Sequence, residues 1–374
     1  MTEPCPVSSA PESSPEVLGG LPAPVVWPAE KLRQTLVCDD PAQRFEALVM
    51  MTHPKAPVDE CINEIVRCGL LANEDSMILQ HVPIALGSAT PSKVNQNALE
   101  MLSALLDSRF ADHVRIFAAH ALFRLKMVPE SAFVRLSALL IHANPSARQI
   151  ALAALTLVIK PATNAITQMV AALPPEKWTD EALTALARSA GDSTENKRVV
   201  EQFVMRSLPS APIVPTGIAG YTALAQMQPG GAATVVLGRV ASTASEAEHW
   251  KAALAALTTL GEAAQSAAPE LGKALAVLDD PEREESMCRV MVSIRAKEQD
   301  VPLARVVQRI QTGPDRSAAA HCMLLCLHPK RFAPAAKIVA ERHAVAGETL
   351  KVALAQTHKT LVGTLPGGIA AQRS

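Results

Sequence analysis

The sequence predicts an all-α protein, a right-handed α-solenoid of about nine or ten stacked helical hairpins. Three observations carry that expectation. The stretch His249 to Leu275 reads as two short amphipathic helices: Trp250, Ala253, Leu254, Leu257 and Leu260 share one helical face, and Ala268, Leu271 and Leu275 share another. Such a pair cannot bury both stripes alone, so it needs neighbours on each side. Next, one position in the first helix of each hairpin can be followed along the chain as Leu48, Leu86, Leu122, Leu155, Leu186, Leu224, Leu257, Met291, Leu324 and Leu354. The steps between these positions are roughly 30 to 38 residues, the period of helical repeats. Finally, the 49% apolar share is carried mainly by Ala, Leu and Val, with only 3% aromatic residues. Small side chains suit closely spaced helices.

Taken in order, residues 1–30 are rich in Pro, Ser and Gly and read as a flexible tail, with Trp27 and Val25–Val26 able to dock on the first hairpin. That segment has neither the basic start nor the apolar run of a signal peptide. Residues 31–363 form the solenoid, and residues 364–374 a second flexible tail. Asp40–Pro41, Thr90–Pro91, Asn144–Pro145 and Asp280–Pro281 each place a capping side chain before a proline at a first helical position. Pro129, Pro161, Pro229 and Pro329 fall between the two helices of a repeat. From Asn73 to Leu86 the pattern weakens, because Pro83 is expected to kink or shorten the helix. His113 to Met127 is apolar on a broad arc, with Val114, Phe117, Ala118, Ala121, Leu122 and Leu125 on one stripe and Ile116, Ala119 and Phe123 beside it. It is therefore flanked on more than one side. Its partner carries Ala132, Phe133, Leu136 and Leu140, and Ile150, Ala151, Ala154, Leu155 and Val158 repeat the scheme. Gly261 stands where a left-handed cap would close a helix, and Pro269 falls in the first turn of the next.

The segments HWKAALAALTTLGEAAQSAAPELGKAL, HVRIFAAHALFRL and SARQIALAALTLVI, with the openings at Asp39 and Asp279, resemble the HEAT-repeat family, in particular the bacterial HEAT-like repeats of the phycobilisome-lyase type. The likeness spans roughly Asp39 to Leu361. The resemblance implies a curved solenoid whose second helices line the inner face, and relatives that mostly hold other proteins. The Asp and Arg usual in the turn of such a repeat occur in only some of these repeats.

Net charge is −1 and the pI about 6.8, so no global field draws the chain to nucleic acid or an anionic membrane. Seven cysteines scattered through predicted helices read as reduced thiols of a cytoplasmic protein, and no window is long and apolar enough to span a membrane. The nucleotide-binding, metalloprotease, serine-hydrolase and dithiol motifs are absent, and no cofactor is expected. His321, Cys322, Cys326 and His328 have the residue types of a metal site. On a helical wheel, however, the cysteines lie about 40° apart and the histidines about 20° apart, with about 100° or more between the pairs. One helix cannot aim all four at one ion, so the cysteines read as core and the histidines as rim. Cys61, Cys68 and Cys288 are read the same way. Glu282, Glu284 and Glu285 sit near a helix start, where the dipole favours acids.

The positional signal is basic. Arg135, Lys197, Lys273, Arg305 and Lys337 recur at matching offsets in second helices, with Arg309 a turn beyond Arg305 and Gln168 in an intermediate slot. They are the candidate partner-binding residues, a ladder that would receive an acidic segment of a partner protein. Glu201, Glu270, Asp300 and Glu341 interleave with them, and the same positions also suit solvated side chains whose stems cover apolar surface. The expected function is a non-catalytic protein-interaction scaffold or adaptor. A HEAT-like lyase or assembly chaperone acting on a protein partner is the alternative. A DNA glycosylase of that architecture would need a basic groove bearing aromatics, whereas Trp178 and Trp250 sit on apolar helix faces.

Overall fold

A computed structural model describes residues 27–72, 75–158, 161–174, 177–207 and 217–363. Most of the expected N-terminal tail and all of the C-terminal one lie outside the described residues. In chain order the helices are α1 (Ala29–Leu36), α2 (Pro41–Met51), α3 (Ile62–Leu71), α4 (Ser76–Leu86), α5 (Gln96–Ala104), α6 (Asp112–Leu125) and α7 (Glu130–Leu139). Then follow α8 (Pro145–Leu155), α9 (Thr163–Ala171), α10 (Asp180–Ala190), α11 (Thr194–Ser207), α12 (Ile218–Met227), α13 (Ala232–Thr243) and α14 (Ala247–Leu260). The series closes with α15 (Ala268–Val277), α16 (Pro281–Ser293), α17 (Leu303–Thr312), α18 (Asp315–Leu327), the single turn α19 (Pro329–Phe332), α20 (Ala336–Val345) and α21 (Glu348–Val362). No strand occurs among the described residues.

Two layers result. Helices α2, α4, α6, α8, α10, α12, α14, α16, α18 and α21 stack in one, and α1, α3, α5, α7, α9, α11, α13, α15, α17 and α20 stack in the other. Across the layers the packing runs chiefly between a second-layer helix and the first-layer helix that follows it, as in α1–α2, α3–α4, α7–α8, α13–α14, α17–α18 and α20–α21, and within each layer between helices one repeat apart, so the chain is a HEAT-like α-solenoid with one continuous core. All ten positions from Leu48 to Leu354 fall in the first layer and are no more than 2% exposed. They mark the seam where one hairpin covers the next. Trp27, just ahead of α1, is partly buried against that core, with Lys31 Nζ 3.5 Å from its ring centroid.

The helix starts follow from their caps. Asp40 accepts from the Ala42 amide, Asn144 from Ser146, and Asp280 from both Glu282 and Arg283, each with proline next in sequence. An arginine in the first turn recurs: Arg44 donates to the carbonyls of Cys38 and Asp39, Arg115 to Leu106, Arg148 to His142 and Ala143, and Arg283 to Ala241 and Ala244. These guanidiniums satisfy carbonyls left unpaired at the end of an earlier helix or in the turn just before, Arg283 reaching back to the end of α13.

Four expectations are corrected. Thr90–Pro91 opens only a 3-10 turn, and the helix begins after Asn95, whose side chain accepts from the Ala98 amide. Pro83 lies inside α4, which runs on to Leu86 because the Gly87 amide bonds the Pro83 carbonyl at 2.8 Å and the ring itself is buried. On α6 the broad apolar arc is not wholly covered, since Phe123 is exposed. Trp178 is on no helix face: it precedes α10, buried beside Phe203, its indole N–H donating to the Leu173 carbonyl.

Gly261 closes α14 with φ +57° and ψ −138°, and a Cβ there would meet nothing within 4 Å. The requirement for glycine is therefore one of backbone conformation alone. Gly261→Ala should cost about 1–3 kcal/mol in urea unfolding, and Gly261→Ser about the same. A large difference between them would show that space, not φ, fixes the residue.

Candidate functional site

All six candidate cations lie on second helices, but they differ in what holds them. Arg135 on α7 donates to the carbonyl and hydroxyl of Ser103 at 3.3 and 3.2 Å and has Asp107 at 3.8 Å, which ties α7 back to α5. Lys273 on α15 is 75% exposed with Glu270 at 3.4 Å, and Lys337 on α20 is 85% exposed with Glu341 at 3.9 Å. Both amines stand in solvent, where such pairs hold weakly. Gln168 on α9 is exposed as well. Of the interleaved acids, Glu201 is engaged: it accepts from the Ala232 amide and caps α13.

Arg305 and Arg309 on α17 are brought together around Glu284 of α16, which is fully buried. Arg309 lies 2.7 Å from its carboxylate and Arg305 3.3 Å, and both guanidiniums also reach the Leu278 carbonyl and Asp279 at the end of α15. The other Glu284 oxygen accepts from the Ser317 hydroxyl at 2.7 Å, and His321 Nδ1 lies 2.8 Å from the Ser317 carbonyl. The cluster locks α15, α16, α17 and α18 to one another. The His321 ring, expected near the rim, is completely buried. Cys322 beside it is buried too, and burial pushes its thiol up to about 12. Burial likewise raises Cys61 to about 11 and Cys68 to about 12, which keeps them protonated and unreactive. Among the described residues no His, Cys, Asp and Glu group is placed to hold a metal ion.

Sequence reasoning missed Glu284 as a core residue, although the signal was present: Glu284, Met287, Cys288 and Met291 fall on one helical stripe, and the last three are buried. A carboxylate on such a stripe must find donors.

Burial lowers the His321 pKa below its ordinary 6.5, against the pull of the Ser317 carbonyl and Glu284. Below about pH 6.5 the unfolded chain takes up a proton that the folded chain refuses, so stability falls as pH drops toward the folded value. His321→Gln should flatten the slope of unfolding free energy against pH in that window; an unchanged slope would assign it to other groups.

Lys197, the remaining candidate, in the first turn of α11, lines a cleft of about 780 Å3 between α10, α11 and α12 together with one further cation, Arg188 from the last turn of α10. A separate trough of about 630 Å3 lies on the first layer between α16, α18 and α21, over Met323, Leu350 and Ala353.

No protein-family model matches the chain, and no curated protein matches it. Solved structures resemble it in fold. An engineered protein shares 16% identity at a TM-score of 0.40, covering 90% of this chain and 98% of its own. The karyopherin Kap121p bound to Ste12p shares 14% at 0.48, over 92% of this chain and 42% of the karyopherin. A designed armadillo repeat protein shares 19% at 0.33, over 62% of this chain and 100% of its own. No described helix is long and apolar enough to cross a membrane.

Proposed function

We propose that this chain is a non-catalytic, cytoplasmic protein-interaction scaffold or adaptor that holds an acidic segment of a partner protein along its layer of second helices. One observation carries the reading: the neighbouring second helices α15, α17 and α20 present Lys273 and Lys337 to solvent on a stacked, extended surface. A repeat array offers length and spacing for a partner segment. Arg305 and Arg309 belong to the same ladder and, held by Glu284, act as its rigid support. Arg135 is its pinned N-terminal member and Lys197 its centre. A HEAT-like lyase or assembly chaperone acting on a protein partner is the alternative role, distinguished by whether the partner is released from the finished complex.

The test is affinity capture from the native host on the full chain and on a Lys273→Glu/Lys337→Glu variant. These two are preferred to Arg305, whose loss would also unsettle the fold. Recovery of the wild-type partner should fall about tenfold, corresponding to about 1.4 kcal/mol, and fall further at high salt. Recovery unaffected by the double reversal would remove the ladder.

A further inference from the structure

We infer that the cleft between α10, α11 and α12 is the anchor for the partner segment and that it takes a carboxylate-bearing peptide. The inference rests on the scaffold reading and specifies where along the array the grip is set. Arg148, Arg283, Arg305, Arg309 and Arg342 all spend their guanidiniums on carbonyls or carboxylates of neighbouring repeats. Arg188 and Lys197 line one cleft and, among the described residues, neither has an ion-pair or side-chain hydrogen-bond partner. A carboxylate entering this cleft meets cations that have no charge partner of their own among the described residues and gains charge-assisted contacts from them. Asp192 on the same wall leaves the cleft with one net positive charge, which suits a single carboxylate and disfavours a polyanion such as a nucleic-acid strand.

Gly220 lets α12 approach α10 so closely that a Cβ there would stand 2.5 Å from the Leu183 side chain. On the outward side the facing positions Ala187 and Ala223 are too small to fill the angle between the helices, and the trough remains. Its volume lies in the range of ligand-sized sites. The Thr222 hydroxyl gives its proton to the Ile218 carbonyl at 2.7 Å and is left as an acceptor, and the Gln226 amide offers both polarities. Both fit the backbone of an extended peptide on either side of an acidic residue. Lys197 is thus the member of the basic ladder that turns toward the first layer.

The experiment uses the full chain and a short fluorescein-labelled Glu-Ala copolymer peptide as probe. Fluorescence anisotropy gives its affinity, and a carbodiimide that joins carboxylates to amines directly maps which lysines it touches. Lys197 should carry the main cross-link, and Arg188→Glu/Lys197→Glu should weaken the probe at least tenfold, whereas Lys273→Glu/Lys337→Glu should weaken this short probe by a smaller factor. Arg188→Gln/Lys197→Gln, which removes charge without reversing it, should weaken it less; circular dichroism on each variant separates loss of fold from loss of binding. Cross-links concentrated on Lys273 and Lys337, or equal weakening by both reversals, would overturn the anchor and leave the scaffold reading standing. No measurable binding of the probe to wild type would overturn the carboxylate assignment, with the scaffold reading then decided by capture of the host partner.

Discussion

Glu284→Ala is expected to destabilise the protein by about 3–5 kcal/mol, the cost of leaving buried charge without its partner. In the folded chain this carboxylate is fully buried and gathers Arg305, Arg309 and Ser317 from two other helices. Deleting it strands two guanidiniums whose side chains are only 16% and 14% exposed, with Asp279 the one carboxylate left to them among the described residues, beside the Leu278 carbonyl. Chemical denaturation of wild type and variant measures the cost. Glu284→Gln, which keeps acceptor oxygen but not charge, should lie between them. Replacing Glu284, Arg305 and Arg309 together by Met should recover much of the loss, since removing a whole buried network is less costly than breaking it. A single-variant cost below about 1 kcal/mol would mean that the cluster is solvated and contributes as a surface pair does.

Gly272→Ala is the second large effect. In the middle of α15, alanine gains about 1 kcal/mol of helix propensity over glycine, so on an open helix the change would stabilise. Here a Cβ would stand 2.0 Å from the Asp300 carbonyl oxygen and 3.1 Å from its carbon, both backbone atoms of the turn leading into α17. Backbone cannot step aside as a flexible side chain can, and overpacking of this kind costs about 1–3 kcal/mol or more. The net expectation is destabilisation by at least about 2 kcal/mol, greater still for Gly272→Val. Gly69 on α3 is the control: there the obstacle is the terminal methyl of Met101, at 2.1 Å, which can rotate away. Gly69→Ala should be nearly neutral. Equal effects at the two glycines would refute the close approach at Asp300.

The periodic part of the fold was legible in the sequence because burial on a helix repeats every 3.6 residues, and the ten positions from Leu48 to Leu354 carried that pattern at repeat spacing. Capping signals were legible where a side chain acts on its own neighbours, as at Asp40, Asn144 and Asp280. They misled at Thr90–Pro91, where the local pair starts only a 3-10 turn and Asn95 supplies the cap. Pro83 was read by its missing amide alone, whereas tertiary burial carries α4 through it. The site was less legible, since most of its partners come from other helices: Ser317 stands one turn before His321 on α18, but the Glu284 carboxylate and the two arginines that complete the cluster belong to α16 and α17, and no spacing within α18 announces them. Lys197 was singled out by offset, but the companion that gives it meaning, Arg188, sits on the preceding helix and only the α10–α11 turn brings them together.

The central physical claim is that this chain is a linear array in which each hairpin is held by its immediate neighbours. Hydrogen exchange read by mass spectrometry on wild type and Glu284→Ala tests it directly. Peptides from α15 to α18 should lose protection most, the loss should fade through α14 and α21, and α2 to α8 should exchange as in wild type. A uniform loss of protection from α2 to α21 would contradict it.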